Sequence, residues 1–116
     1  MRHQKNKITL DRKSAGRKAL LRGLAESLIL FEKITTTKAK GRATRSFVER
    51  LITKAKQNTL AARRLTLAKI PAKNVVKKLF EVLGPRYAER KGGYTRVTLL
   101  NHRIGDGAEE VLVELI

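Results

Sequence analysis

Leu20, Leu24 and Leu28 recur every four residues, with Leu21 and Phe31 beside them, and this spacing predicts an amphipathic helix. Ser14 stands where an N-cap belongs, its hydroxyl placed to accept from a free amide of the first turn. Arg17, Lys18 and Arg22 fall off the apolar stripe and near one another, so the helix turns one side to a core and a cationic side outward. Lys33–Thr37 (KITTT) is dense in β-branched residues and predicts a strand. Thr37 then caps a second helix running to about Gln57, with Ala43, Phe47, Val48, Leu51, Ile52 and Ala55 at helical spacing. Lys38, Arg42, Arg45 and Glu49 follow one another on its other side. Gly41 is a misfit in the first turn, at a cost of about 1 kcal/mol relative to Ala in a helix interior.

Asn58 or Thr59 caps a short third helix through Ala68, with Leu60, Leu65 and Leu67 inward and Arg63 and Arg64 beside them. Pro71 ends it. Lys73–Leu83 reads as a fourth helix carrying Val75, Val76, Leu79, Phe80 and Leu83, and Gly84-Pro85 reads as its stop signal. Arg86–Gly93 is a basic loop ending in paired glycines, which permit positive φ or a close approach to a phosphate; a plain turn explains them equally well. Tyr94–Asn101 alternates like a two-faced strand, Gly105-Asp106-Gly107 is a turn, and Glu110–Ile116 is a final strand whose apolar residues belong to the core. The short connection between these two strands favours antiparallel pairing. Met1–Lys13 is too poor in apolar residues to fold alone; it is a basic arm that orders on a partner, or a frayed terminus.

Charge narrows the partner. The 116 residues hold 27 Lys plus Arg against 10 Asp plus Glu, a net of +17, which on so small a chain attracts a polyanion: nucleic acid first, an anionic membrane second. Residues 1–58 hold 16 basic and 4 acidic side chains (+12), residues 59–116 hold 11 and 6 (+5), and Gly105–Ile116 has Asp106, Glu109, Glu110 and Glu114 without any Lys or Arg. The N-terminal half therefore faces the polyanion, and the three glutamates face away from it. At 41% hydrophobic residues the chain supports one modest core and a single domain, 1–116. The apolar run Ala19–Phe31 is broken by Arg22 and Glu26, unlike a signal or membrane span, and the first dozen residues lack the amphipathic period of a mitochondrial presequence. The expectation is a soluble, cytosolic protein.

Catalysis finds little support. Without cysteine there is no disulfide, thiolate zinc site or cysteine nucleophile, and His, Asp and Glu show no metal-ligand spacing. His3 and His102, the latter near Asp106 and Glu109, are the only histidines for a small ribonuclease, and their spacing is undistinctive. Gly92-Gly93 precedes a strand, so it is no nucleotide-binding loop. Aromatics at 4% exclude a broad base-stacking platform. Tyr87 and Tyr94 flank the glycines and offer rings to an unpaired base, or Tyr94 simply packs on a neighbouring strand. A DNA-reading helix pair at 59–83 lacks the usual glycine in its turn, which leaves a DNA-binding protein as the competing binding module. Basic residues spread over many elements suit a folded RNA better.

Several motifs resemble the bacterial large-subunit ribosomal protein seventeen family, in order, along the whole chain. They are MRHQK at the start, Leu10-Asp11-Arg12 leading to Arg17-Lys18-Ala19, Ser27-Leu28, Ile34-Thr35-Thr36-Thr37, Leu51-Ile52 with Ala55-Lys56, and Ala62-Arg63-Arg64-Leu65. Lys78-Leu79-Phe80 to Leu83-Gly84-Pro85-Arg86-Tyr87, Gly92-Gly93-Tyr94-Thr95-Arg96-Val97 and Val113-Glu114-Leu115 complete the set. Gly16 stands where the family commonly has His, and Lys38–Ser46, with Gly41 and Arg42, departs from the family's usual helix opening.

The resemblance implies an α/β (α+β) fold of two layers, a small three-stranded mixed sheet packed with about four helices in the order α-β-α-α-α-β-β. It also implies a non-catalytic constituent of the large ribosomal subunit, bound as a monomer to 23S ribosomal RNA and neighbouring proteins near the peptide tunnel exit, without cofactor or metal. The candidate RNA contacts are Arg2, His3, Lys5, Lys7, Arg12, Lys13, Arg17, Lys18 and Arg22 in the arm and first helix. Lys38, Arg42, Arg45, Arg63, Arg64, Arg86, Tyr87, Arg90, Lys91, Tyr94 and Arg96 follow, with phosphate contact as the main role.

Overall fold

The computed structural model describes residues 9–116, so Arg2, His3, Lys5 and Lys7, and most of the expected basic arm, lie outside the described residues. Helix α1 spans Ser14–Phe31, β1 Lys33–Thr37, α2 Lys38–Gln57 and α3 Leu60–Lys69. Helix α4 (Lys73–Lys78) continues through a π-helical turn (Leu79–Leu83) into a last turn (Gly84–Arg86), before β2 (Thr95–His102) and β3 (Glu109–Leu115). The element order and the α+β class are as the sequence reading has them.

Sheet order is β1-β3-β2. Both pairings are antiparallel, with Thr35 opposite Leu112 and Val97 opposite Val113. This corrects the mixed sheet: β1 and β2 run the same way, but β3 lies between them and no parallel ladder forms. Val111 and Val113 of β3 are buried, whereas Ile116 is exposed beyond the strand's end. The helical layer covers the sheet through α2, and Ala25, Leu28 and Ile29 of α1 join Val48, Leu51, Ile52 and Ala55 of α2 in the core.

Two glycines act by size. A Cβ on Gly41 would lie 2.6 Å from Val111 Cγ2 and 3.2 Å from Val113 Cγ2, so the missing side chain lets the start of α2 rest on the sheet. Gly41 is thus a packing residue rather than a misfit. Gly84 corrects the expected stop signal: its φ of −55° is ordinary right-handed helix, and its N–H donates to Leu79 O across the π turn. The widened turn accommodates Pro85, whose ring would press on the preceding turn of a regular helix. A Cβ at Gly84 would meet the backbone oxygen of Ala55 at 3.0 Å, so here too glycine serves close approach.

Other departures follow from helix rotation and ends. Ser14 is the first residue of α1 rather than its cap, and the preceding Lys13 makes no side-chain capping bond. Thr37 occupies the N-cap of α2 without a hydroxyl bond, whereas Thr59 does cap α3, accepting from Ala62 N at 3.1 Å. In α3 the inward line is Ala62, Thr66 and then Ile70, while Leu60 and Leu65 are exposed and Leu67 is half-buried. Thr66 tolerates full burial because its hydroxyl donates to Ala62 O at 3.0 Å. Phe31, at the end of α1, is likewise exposed.

Candidate nucleic-acid interface

Pairing with acids sorts the basic residues into two groups. Lys38 meets Glu109 at 3.4 Å, Arg45 meets Glu49 at 3.7 Å, and Arg96 meets Glu114 at 3.7 Å. Arg86 pairs with Glu32, which also takes Lys78 at 3.7 Å. The hydrogen bond from Arg86 and the two cations hold the Glu32 carboxyl below its ordinary value, and Glu32 raises the Arg86 guanidinium in return. These cations sit at the C-terminal end of α1, where Glu32 is left-handed (φ 65°) and Lys78 donates to Leu30 O at 2.9 Å. Such positions favour positive charge on structural grounds alone.

By contrast, Arg12, Lys13, Arg17, Lys18, Arg22, Arg42, Arg63, Arg64, Arg90 and Lys91 have no acidic partner among the described residues. The structure collects several of them around α3. Lys18 and Arg22 of α1 join Lys69 of α3 at a cleft of about 270 Å³, with Leu21, Phe47 and Ala68 as apolar walls. Arg22 Nε donates to Lys69 O at 3.3 Å and ties the two helices. A second hollow, about 590 Å³, adjoins it at Lys69 and is lined by Arg50 and Lys54 of α2 and by Gly92. Its one acid, Glu49, is already engaged by Arg45 and by the N–H and hydroxyl of Thr95. Between α3 and α4, Arg63 joins Lys73 and Lys77 in a third hollow of about 320 Å³. Arg63 also lies over the Phe80 ring, 5.1 Å from its centroid.

Arg50, Lys54, Lys69, Lys73 and Lys77 are absent from the sequence-derived set. The spacing of Arg50 and Lys54 (i, i+4) and of Lys73 and Lys77 places each pair on one helix face, a signal available in the sequence. Lys69 becomes central only because α3 folds back against α1 and α2.

Tyr87 and Tyr94 are corrected as stacking residues, since both rings are buried and lie 5.2 Å apart. Tyr87 donates to Ile116 O at 2.6 Å. Burial pushes the Tyr94 hydroxyl up, but hydrogen bonds involving Lys56 and Thr53 outweigh it, and the phenol titrates below its ordinary value. Lys56 donates to Arg90 O as well, and Tyr94 OH donates to the same oxygen at 3.3 Å, so Lys56 and Tyr94 together anchor the start of the Arg90–Gly93 turn. Gly92 and Gly93 have φ of 128° and 60°, as a glycine-dependent turn requires. Arg90 and Lys91 are exposed on this turn.

The acidic final strand neutralises its neighbours. Glu110 takes Arg103 at 3.3 Å, and Asp106 takes the same guanidinium at 3.3 Å. The backbone hydrogen bond from Ala108 chiefly lowers the Asp106 carboxyl, with Arg103 assisting. His102 Nε2 stands 3.9 Å from Glu109, on an exposed hairpin. Among the described residues, no cluster of His, Asp and Glu forms a metal site, and no helix is long and apolar enough to cross a membrane.

Comparison with known proteins identifies the family of the chain. Residues 20–116 match the family described as ribosomal protein L17. A protein of Gemmatimonas aurantiaca named large ribosomal subunit protein bL17 is 52% identical over 116 residues, covering 100% of this chain and 98% of the relative. The protein of that name from Hydrogenobaculum sp. is 49% identical over 117 aligned positions, with 100% and 99% coverage. The one from Syntrophotalea carbinolica is 46% identical over 116 residues, covering 100% of this chain and 75% of the relative. The chain belongs to the ribosomal protein L17 family, a non-catalytic family of the large ribosomal subunit.

Proposed function

We propose that the chain is a single RNA-binding domain that binds 23S ribosomal RNA as a structural constituent of the large subunit, as a monomer in the bacterial cytoplasm. The observation that carries this reading is the gathering of unpaired cations from α1, α2 and α3 around two adjoining hollows. Cations without internal partners release phosphate counterions on binding, whereas those already bridged to glutamate gain less. Arg12 and Lys13 precede α1 and extend the same charge toward the N-terminal segment. Phosphate contacts set the position of the protein on the folded RNA, with little reading of base edges. A seat near the peptide tunnel exit, among neighbouring large-subunit proteins, is what the family resemblance implies.

The test is binding of the full chain to a large-subunit RNA fragment in competition with duplex DNA at physiological salt. Preference for the RNA, with affinity falling steeply as salt rises, is expected; preference for DNA refutes the reading. Deleting residues 1–13 is expected to weaken affinity and flatten the salt slope, and an unchanged slope would remove the arm from the interface. Co-sedimentation with large subunits through a high-salt wash tests the assembly itself.

A further inference from the structure

We propose that the cleft between α1, α2 and α3 seats one unpaired RNA base against Phe47, with the adjoining phosphate held by Lys18, Arg22 and Lys69. This rests on the RNA-binding reading and adds a defined subsite to it. The lining is divided by chemistry: Leu21, Phe47 and Ala68 form apolar walls, and three cations form the rim of a space of about 270 Å³. No acid lines it.

A phosphate alone has no use for apolar walls, and a duplex keeps its base faces stacked inside. A single unstacked nucleotide presents both a flat apolar ring and an anion one sugar away, the combination the cleft is built to meet. Phe47 packs against the core yet is only half-buried, whereas Val48, Leu51 and Ile52 of α2 are fully buried. Arg22 is positioned by its bond to Lys69 O, which uses Nε and leaves the terminal guanidinium nitrogens for an anion. Both tyrosines are buried and Phe31, though exposed, stands outside the cleft, so Phe47 is the aromatic that meets these three cations.

The chain contains no Trp, so Phe47→Trp introduces a unique fluorophore. Its emission is followed while full-length protein is titrated with short oligoadenylate, and separately with blunt duplex RNA of equal length. The single strand is expected to quench the indole and the duplex is not. Phe47→Leu keeps most of the apolar bulk and removes the ring face, so its affinity for oligoadenylate is expected to fall roughly tenfold while its affinity for the duplex falls much less. Unchanged emission, or an equal loss for both RNAs in Phe47→Leu, overturns the subsite while tight, salt-dependent binding to the large-subunit RNA fragment leaves the wider reading standing. Loss of binding to that fragment by the unmodified chain overturns both.

Discussion

On the helical side of the molecule, Lys18, Arg22, Arg50, Lys54 and Lys69 line two hollows whose single acid is already engaged elsewhere. On the β2–β3 side, each glutamate of β3 meets a cation: Glu109 with Lys38, Glu110 with Arg103 and Glu114 with Arg96. A hollow of about 760 Å³ lies at that hairpin beside Leu99, Leu100 and Ile104, yet its arginine is neutralised twice. The difference teaches that net charge does not by itself locate a polyanion site. What counts is the charge left after the fold has made its internal pairs.

The largest effect separates the two sides by stability. Leu28, buried between the helices, is expected to cost about 2–5 kcal/mol on substitution by Ala, from lost burial and the cavity left behind. Leu99→Ala on the exposed hairpin is expected to fall within about 0.5 kcal/mol of the parent in the same denaturant titration. Comparable losses would mean that the hairpin tip is as tightly integrated as the helical layer.

Charge reversal tests the comparison directly. Lys18→Glu, Arg22→Glu and Lys69→Glu together are expected to weaken binding to the large-subunit RNA fragment by roughly tenfold to a hundredfold, and to lower the salt slope by about 2–3. Arg96→Glu with Arg103→Glu, on the neutralised side, is expected to change both much less. Filter binding across a salt series measures the two variants, and equal effects would erase the distinction between the sides.

The glycines sharpen the same contrast. Gly41→Leu drives a side chain into Val111 and Val113, with an expected loss of about 1–3 kcal/mol. Gly23, on α1 with open space where a Cβ would go, is expected to gain about 0.5–1 kcal/mol on substitution by Ala. Thermal unfolding gives both signs, and a stabilised Gly41→Leu would contradict the close approach of α2 to the sheet.

The smallest effect concerns pH. Because the folded-state value of Glu32 is lowered, its contribution is complete above the ordinary 4.5 and is lost as pH falls through the folded value. The group is partly exposed, so the contribution is held to about 1 kcal/mol or less. Glu32→Gln is expected to flatten the acid limb of a stability-versus-pH curve; an unchanged limb would assign the acid loss to other carboxyls.

The elements were legible because each carries its own local signal. Apolar period in α1 and α2, β-branched density in β1 and the cap at Thr59 depend on neighbours a few residues away. The α3 face was harder to read: leucine at 60 and 65 outweighs alanine and threonine in any apolar pattern, yet the smaller pair is what fits against the core. Gly84-Pro85 carries the signature of a helix stop and instead continues the rod, since a π turn and contact with the end of α2 outweigh the local preference. Tyr87 and Tyr94 look available beside paired glycines and are buried, because β2 and the last residues of the chain close over them.

The sequence by itself determined the order of elements in a basic, one-core α+β chain, and an excess positive charge that calls for a polyanion. These properties follow from composition and short-range periodicity, which need no knowledge of what folds onto what. Only the tertiary structure decided which cations remain unpaired, that Lys69 meets Lys18 and Arg22, and that glycine at 41 and 84 serves contact rather than turning. Those outcomes depend on distances between residues far apart in the chain, and such distances exist only once the helices have packed on the sheet.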